Sequence, residues 1–504
     1  MRFTIADCVA ANAAAFPDRT AVEVLGTTTE PIETWTYGDV WCRVSALAEA
    51  LAEIEPGPHG PMVGILLPNG VDHALAYLAC QLAGAAAVPV NNRLAVPEIE
   101  YVLTDSGASV LLTRVPFLET AGQAAESTGV RIIDVAAIPT PDVAPMWPGP
   151  AGEERGAETA LVAYTSGTTG FPKGAIVPGA ALLTRFAQWG WTFGLSPSEV
   201  LSIPGPLFHM SYGGLTLAHL AAGGRTRIMT SFDAGMALDE YRRHSTWVFL
   251  VPSMLAMIRE AWEAAGRPAL DALRWMLSSG APGPMSLLEA AFDVFPAARI
   301  TEAYGWTEGG WVTYEVKDRA DLVPHSVGWP LVGSEVAVID PDTGKRVGVD
   351  EPGEVVARTV VPFFGYLGKP DATAAAHTDD GFVRSGDVGV LLADGRLTIV
   401  DRVKDMIISG GENVYCAEVE RILVEHPAVL EAAVYGVPDP TWGERVTAAV
   451  VARPGTTVDP DGVISHCRDR LAHYKCPRQV VLLDELPRNP MGKVQKFRLV
   501  EGST

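Results

Sequence analysis

Between Tyr164 and Gly174 the chain reads Tyr-Thr-Ser-Gly-Thr-Thr-Gly-Phe-Pro-Lys-Gly. Thr165, Ser166, Thr168 and Thr169 offer hydroxyl donors, and Lys173 adds a point charge. Gly167, Gly170 and Gly174 let backbone N–H groups come close to a ligand. Such a loop suits a polyphosphate. It is not the P-loop of nucleotide hydrolases, which needs glycine before the lysine and Ser or Thr after it. Here Pro172 precedes Lys173 and Gly174 follows. A flexible Gly/Thr surface loop is the plain alternative.

Further strings of possible chemistry follow in order. Pro206-Leu207-Phe208-His209-Met210-Ser211-Tyr212-Gly213 combines aromatics, methionine and glycine, a wall suited to an apolar acyl group. His209 alone could equally be a structural hydrogen-bonder. Gly280-Ala281-Pro282 is by itself a weak turn signal. Tyr304-Gly305-Trp306-Thr307-Glu308 offers a carboxylate which, near a phosphate loop, can hold Mg²⁺, a cation satisfied by one or two carboxylates plus phosphates and water. The alternative is a glutamate capping a helix start. Ser385-Gly386-Asp387 sets a carboxylate beside glycine, able to accept from two ribose hydroxyls or simply to make a turn. Asp401-Arg402-Val403-Lys404-Asp405, followed by Gly410 and Gly411, could be a charged linker with a glycine turn. Lys493, in Pro487-Arg488-Asn489-Pro490-Met491-Gly492-Lys493, could be a solvated charge.

The elements that must position these strings are legible as pattern. Ala160–Ala163 reads as a buried strand feeding the first loop, and 180–189 as the helix behind it. Strands are expected at 62–67, 110–112, 200–203, 227–229, 247–251, 275–277 and 299–300, and a helix at 37–52. Alternating helices and apolar strands indicate a largely parallel α/β sheet, whose strand carboxyl ends are the candidate site. From about 325 to 400 the pattern turns β-rich, with a hairpin turn at Ala393-Asp394-Gly395. After Asp401 a helix at 417–426, strands at 429–435, 445–452 and 480–483, and a helix at 461–471 can make a compact α/β domain.

The strings, in this order across residues 164–493, resemble the motifs of the acyl-adenylate-forming superfamily, which holds acyl-CoA ligases, adenylation domains of nonribosomal peptide synthesis and beetle luciferases. The resemblance covers nearly the whole chain. It implies a large N-terminal domain, 1–400, of parallel α/β sheets with a small β-barrel-like subdomain, a hinge at 401–404, and a small mobile C-terminal α/β domain, 405–504. It implies ATP, Mg²⁺ and coenzyme A as the small molecules handled. Thr165 to Gly170 and Lys173 would hold the phosphates, with Thr169 and Glu308 as Mg²⁺ ligands. Gly280, Ala281, Pro282, Tyr304 and Gly305 would line the adenine and acyl pockets. Thr307 would touch the α-phosphate, Asp387 and Arg402 the ribose. Lys404 would be the pivot, Gly410 and Gly411 would admit the pantetheine arm, and Lys493 would bind the attacking carboxylate and the α-phosphate. His209 stands where amino-acid-activating relatives carry Asp, which argues for an acid without an α-amino group.

The reading this supports is an AMP-forming acyl-CoA ligase, catalytic through Lys493, Glu308, Thr307 and His209. A medium- or long-chain fatty acid is the first expectation and an aromatic or alicyclic acid the second. No arginine sits within the acyl motif, which argues against a dicarboxylate. A carrier-protein-loading enzyme, a luciferase-like monooxygenase and a non-catalytic relative are the other readings. With 60 acidic against 38 basic residues, formal charge −22, neither nucleic acid nor anionic lipid is an expected partner. No signal-peptide pattern or apolar run of membrane-spanning length is present, and the six cysteines are scattered, so a cytoplasmic protein with free thiols is expected. Oligomeric state is not legible, a homodimer being one open alternative.

Overall fold

The computed structural model describes residues 4–143, 159–165, 172–281, 283–361, 363–409, 412–439, 442–488 and 494–502. Packing divides the chain into two compact units: Met1–Val323 with Val327–Val336 and Ala357–Val383, and Pro324–Ser326 with Ala337–Val356 and Arg384–Thr504.

The first unit is built on strands β1 (Thr20–Leu25), β2 (Pro31–Thr36), β3 (Met62–Leu66), β4 (Ala86–Pro89), β5 (Val110–Thr113), β6 (Arg131–Asp134) and β7 (Thr159–Thr165). It continues with β8 (Lys173–Pro178), β9 (Val200–Ile203), β10 (Arg225–Met229), β11 (Trp247–Leu250), β12 (Trp275–Ser278), β13 (Arg299–Trp306), β14 (Gly310–Val316) and β15 (Ser326–Pro330). One sheet has the order β6-β5-β3-β4-β7-β8 and is parallel except for the antiparallel β7–β8 pair. The other runs β14-β13-β12-β11-β9-β10-β1-β2, parallel from β13 to β1 and antiparallel at β14 and β2.

The apolar runs explain the choice of a parallel sheet. Every position of β3 and of β5 is buried. Strands buried on both faces need helices above and below, as crossover connections supply. The helix Tyr37–Ala50 begins where expected because Thr36 and Asp39 satisfy each other's backbone N–H groups in a capping box.

One strand differs from its sequence expectation. β13 does not stop near Ile300 but runs through Tyr304 and Gly305 to Trp306. The reason is its antiparallel return: Tyr304, Gly305 and Trp306 find ladder partners in Thr313, Trp311 and Gly310 of β14. Glu308 therefore lies in a hairpin turn, not at a helix start.

β16 (Ser334–Ile339), β17 (Pro352–Thr359), β18 (Val383–Leu391) and β19 (Leu397–Arg402) lie side by side in that order, with residues 337–339, 352–356 and 384–391 and all of β19 in the second unit. The β18–β19 turn holds Ala393-Asp394-Gly395, with the Gly395 N–H donating to Leu392 O. Beyond them β20 (Ile407–Ser409), β21 (Glu412–Val414), β22 (Val429–Asp439), β23 (Gly443–Ala452) and β24 (Gln479–Leu483) form a sheet ordered β21-β20-β23-β22, with β24 parallel to β23. Helices Cys416–Val424 and Pro460–Arg468 bury Val419, Leu423, Val463 and Cys467 in its core. The fold is thus α/β, with a large N-terminal part and a small C-terminal one. All six cysteines are free thiols. No helix among the described residues is long and apolar enough to cross a membrane.

A buried ion cluster locks β1 to β10. Arg227 pairs with Glu23 directly opposite in the ladder and, through Nε, with Glu240 at 2.6 Å. Ser245 Oγ also donates to Glu240 at 2.8 Å. Glu240→Ala strips one counter-charge from a buried guanidinium and should destabilise the fold by about 3–5 kcal/mol. A urea unfolding curve showing less than about 1 kcal/mol of loss would mean that Glu23 alone neutralises Arg227.

Candidate active site

The phosphate-type loop is closed at its base. Thr165 ends β7 and Lys173 begins β8, and the two face each other in the ladder. The Thr165 hydroxyl donates to Lys173 O at 3.4 Å. Tyr101 OH donates to Pro172 O at 3.0 Å, and Tyr164 OH to Asp105 Oδ2 at 2.9 Å. Lys369 Nζ lies 2.8 Å from Asp105 Oδ1 and completes that anchor. Ser166, Gly167, Thr168, Thr169 and Gly170 lie outside the described residues.

The other lip of this site was not visible in the sequence. The segment around Tyr366 pairs with β8: Ile176 N–H donates to Gly365 O at 3.0 Å, and Leu367 N–H to Gly174 O at 2.9 Å. That seats the Tyr366 ring beneath Lys173, with Nζ 5.1 Å from the ring centroid, in cation–π range. The Tyr366 hydroxyl donates to Glu308 Oε1 at 2.6 Å. Burial, and then the Glu308 charge, push its pKa well above the usual phenol value. The hydroxyl therefore stays protonated and remains a donor. One tyrosine thus joins the lysine of the phosphate loop to the carboxylate of the hairpin. The only sequence signal was the glycine before it, in a stretch with no known spacing to the other motifs.

Glu308 is held by a hairpin with no slack. A Cβ on Gly305 would lie 1.8 Å from Gly310 O, so only glycine permits this approach. Gly310 adopts φ +69°, the left-handed conformation that glycine takes without strain. Tyr304 and Thr307 flank Glu308 in the same hairpin, and the Tyr304 and Trp306 rings lie 5.8 Å apart. Among the described residues no group of three or more His, Cys, Asp or Glu gathers into a metal cage. A lone carboxylate with one oxygen accepting from a phenol suits a hard cation that takes most of its ligands from phosphate and water.

The residues expected to line the acyl pocket assemble around the same hairpin. Gly280 and Ala281 follow the carboxyl end of β12, whose Ser278 is paired with Glu302 of β13. Next to Gly280, Ser279 Oγ accepts from Trp311 Nε1 at 3.0 Å. Pro282 lies outside the described residues. His209 is the N-cap of the helix Met210–Ala221, its Nδ1 accepting from Ser211 N–H at 3.2 Å. The Trp189 and Trp311 rings lie 4.4 Å apart, and those of Tyr212 and Phe249 4.7 Å. Trp191, by contrast, is 82 % exposed and belongs to the surface.

The second unit holds the remaining candidates. Asp387 and Arg402 are opposite in the β18–β19 ladder, and Arg402 Nε stands 2.8 Å from Asp387 Oδ1. Asp387 N–H donates to Ser385 Oγ at 3.0 Å. Asp401 accepts N–H bonds from Arg402 and, at the start of the next helix, from Ala417 at 2.7 and 3.2 Å. Burial outweighs those bonds and pushes its carboxyl up to about 6. Lys404 follows in a short 3₁₀ turn, Val403–Asp405. Gly410, Gly411 and Lys493 lie outside the described residues. β20 and β21 pair with Ser409 opposite Glu412, and Arg488 bridges to Val494.

Comparison with known proteins agrees with this geometry. Residues 9–367 match the AMP-binding enzyme family, and residues 418–493 the AMP-binding enzyme C-terminal domain. The chain is 37% identical to a feruloyl-CoA synthase of Amycolatopsis sp, and 33% identical to the long-chain-fatty-acid–CoA ligase FadD13 of Mycobacterium tuberculosis, with 92% of each chain covered in both cases. It superposes with a TM-score of 0.85 and 29% identity on the o-succinylbenzoate CoA synthetase of Bacillus subtilis solved with its acyl-adenylate intermediate, covering 98% of this chain and 97% of that one. The chain belongs to the AMP-binding enzyme family, within the acyl-adenylate-forming superfamily, and is of the AMP-forming acyl-CoA synthetase type.

Proposed function

We propose that this ATP-dependent acyl-CoA ligase activates an aromatic carboxylic acid, and that the residues named above act as follows. The observation that carries the reading is the Lys173–Tyr366–Glu308 connection, which collects a cation, a neutral donor and a carboxylate at the base of the phosphate loop. The substrate carboxylate attacks the α-phosphorus of ATP. The P–O bond to the β-phosphate breaks, leaving an acyl-adenylate and pyrophosphate. No protein nucleophile is needed, only alignment and neutralisation of charge. Lys173 and the hydroxyls from Thr165 to Thr169 hold the departing pyrophosphate. Thr307 donates to the α-phosphate, Tyr304 flanks the adenine with Gly305, Gly280, Ala281 and Pro282, and Asp387 with Arg402 holds the ribose. Lys493 draws the carboxylate and the α-phosphate together. Glu308 and Thr169 would hold Mg²⁺, which supplies further neutralisation between the phosphates.

The CoA thiol then attacks the acyl carbonyl, forming the thioester as AMP leaves. Rotation about Lys404 withdraws Lys493 and brings Gly410 and Gly411 to the pantetheine. An aromatic acid is favoured by the ring-lined wall of Trp189, Trp311, Tyr212 and Phe249, with His209 fixed at its edge by the helix cap. It is also in keeping with the feruloyl-CoA synthase relative. The fatty-acid reading has the support of the long-chain relative.

An ATP–pyrophosphate exchange screen comparing 3-phenylpropenoic acid with dodecanoic acid should favour the aromatic acid in kcat/KM, and a preference for dodecanoate would select the other reading. In the same assay Lys493→Ala should cost about 10²–10³-fold. Tyr366→Phe removes a donor to a charged group, and exchange should fall about ten- to a hundredfold. Unchanged exchange would reduce Tyr366 to packing. Lys404→Pro should spare exchange while slowing thioester formation, and equal loss of both half-reactions would rule out a pivot there.

A further inference from the structure

Arg185 is a buried cation with no counter-charge among the described residues. It lies on the helix Gly179–Phe193 and is 5 % exposed. It makes no hydrogen bond or ion pair among the described residues. Burial pulls its pKa down to about 10, and no carboxylate opposes that pull. Arginine keeps its charge at working pH, and an unpaired buried charge is costly. The other buried arginines among the described residues are paired: Arg43 with Asp72, Arg227 with Glu23 and Glu240, and Arg396 with Asp394.

Its surroundings are the acyl wall. A Cβ on Gly310 would lie 3.0 Å from Arg185 Nε and 3.2 Å from Nη2, so the guanidinium rests against the turn that carries Glu308. One helical turn further on, Trp189 packs against Trp311 at 4.4 Å. A Cβ on Gly214 would meet Trp189, Met210 and Phe186 at 3.1 to 3.3 Å, which ties the helix to the segment behind His209. One neutral donor of this wall is also orphaned: Trp189 Nε1 is buried without an acceptor among the described residues. Apolar packing alone accounts for the rings, but not for a guanidinium and an indole N–H left without acceptors among the described residues.

We propose that Arg185 is the residue that sets acyl specificity, receiving a second carboxylate carried by the acid at the end remote from the carboxylate that is adenylated. The proposal rests on the adenylation reading above and narrows its substrate class. The acyl motif itself holds no arginine, but the cation enters from the preceding helix. A site that pairs a substrate charge with a buried partner rejects the analogue lacking that charge, because the partner is then left bare. Trp189 can supply a flanking N–H donor to the same group.

The test compares 3-phenylpropenoic acid with its ring para-carboxylated analogue in ATP–pyrophosphate exchange, for wild type, Arg185→Met and Arg185→Lys, each checked for a native circular dichroism spectrum. Wild type should prefer the diacid. Arg185→Met should lose about 100-fold in kcat/KM for the diacid, with activity towards the monoacid held or raised, and Arg185→Lys should recover part of the preference. A wild-type preference for the monoacid, or an equal loss with both acids in Arg185→Met, would overturn the proposal and leave Arg185 to nucleotide binding or packing. If neither acid supports exchange, the melting temperature separates the two claims. A rise with diacid in wild type but not in Arg185→Met keeps the anion site while the adenylation reading fails for these acids. No rise overturns the anion site as well.

Discussion

A carboxylate must approach a phosphorus already ringed by negative oxygens, inside a protein whose own formal charge is −22. Coulomb repulsion from both sources opposes the encounter, so the attraction has to be local and short-ranged. Much of the first unit can be understood as serving that requirement. β7 and β8 close the base of the phosphate loop, the Tyr366 segment adds to β8, and the tyrosine hydroxyl reaches the Glu308 carboxylate. Because burial and Glu308 keep that hydroxyl protonated, the link adds a donor without adding a charge.

The positions of the candidates follow from the parallel sheet. Thr165 and Gly280 sit at or just beyond the carboxyl ends of β7 and β12, and Tyr304 lies within the last three residues of β13. His209 follows β9 and caps the next helix. The proposed chemistry lies on loops, while the strands and their buried ion pairs set the frame. The anchor of Tyr101, Tyr164, Asp105 and Lys369 does the same beneath the phosphate loop.

Local pattern made much of this legible. The strand before Thr165, the helix behind it, the β18–β19 turn and the apolar runs of β3 and β5 are written in consecutive residues, so short windows capture them. Tyr366 and Arg185 escaped because their meaning lies in partners far along the chain. Tyr366 is defined by Lys173 and Glu308, and Arg185 by what it lacks, which no window of sequence can display. The extent of β13 was missed for a related reason. Tyr304 to Trp306 become strand only because β14 returns against them.

Gly305 and Gly310 leave the Glu308 turn no room for side chains and little freedom to shift. Arg185 and Trp189, by contrast, project from a separate helix, Arg185 against Gly310 and Trp189 against Trp311. On the roles proposed here, reaction and selectivity are built on different pieces of backbone. Exchanging a side chain on the helix can redraw the list of acceptable acids while the carboxylate beside the phosphates keeps its place, so the fold can act as one chemical engine with interchangeable intakes.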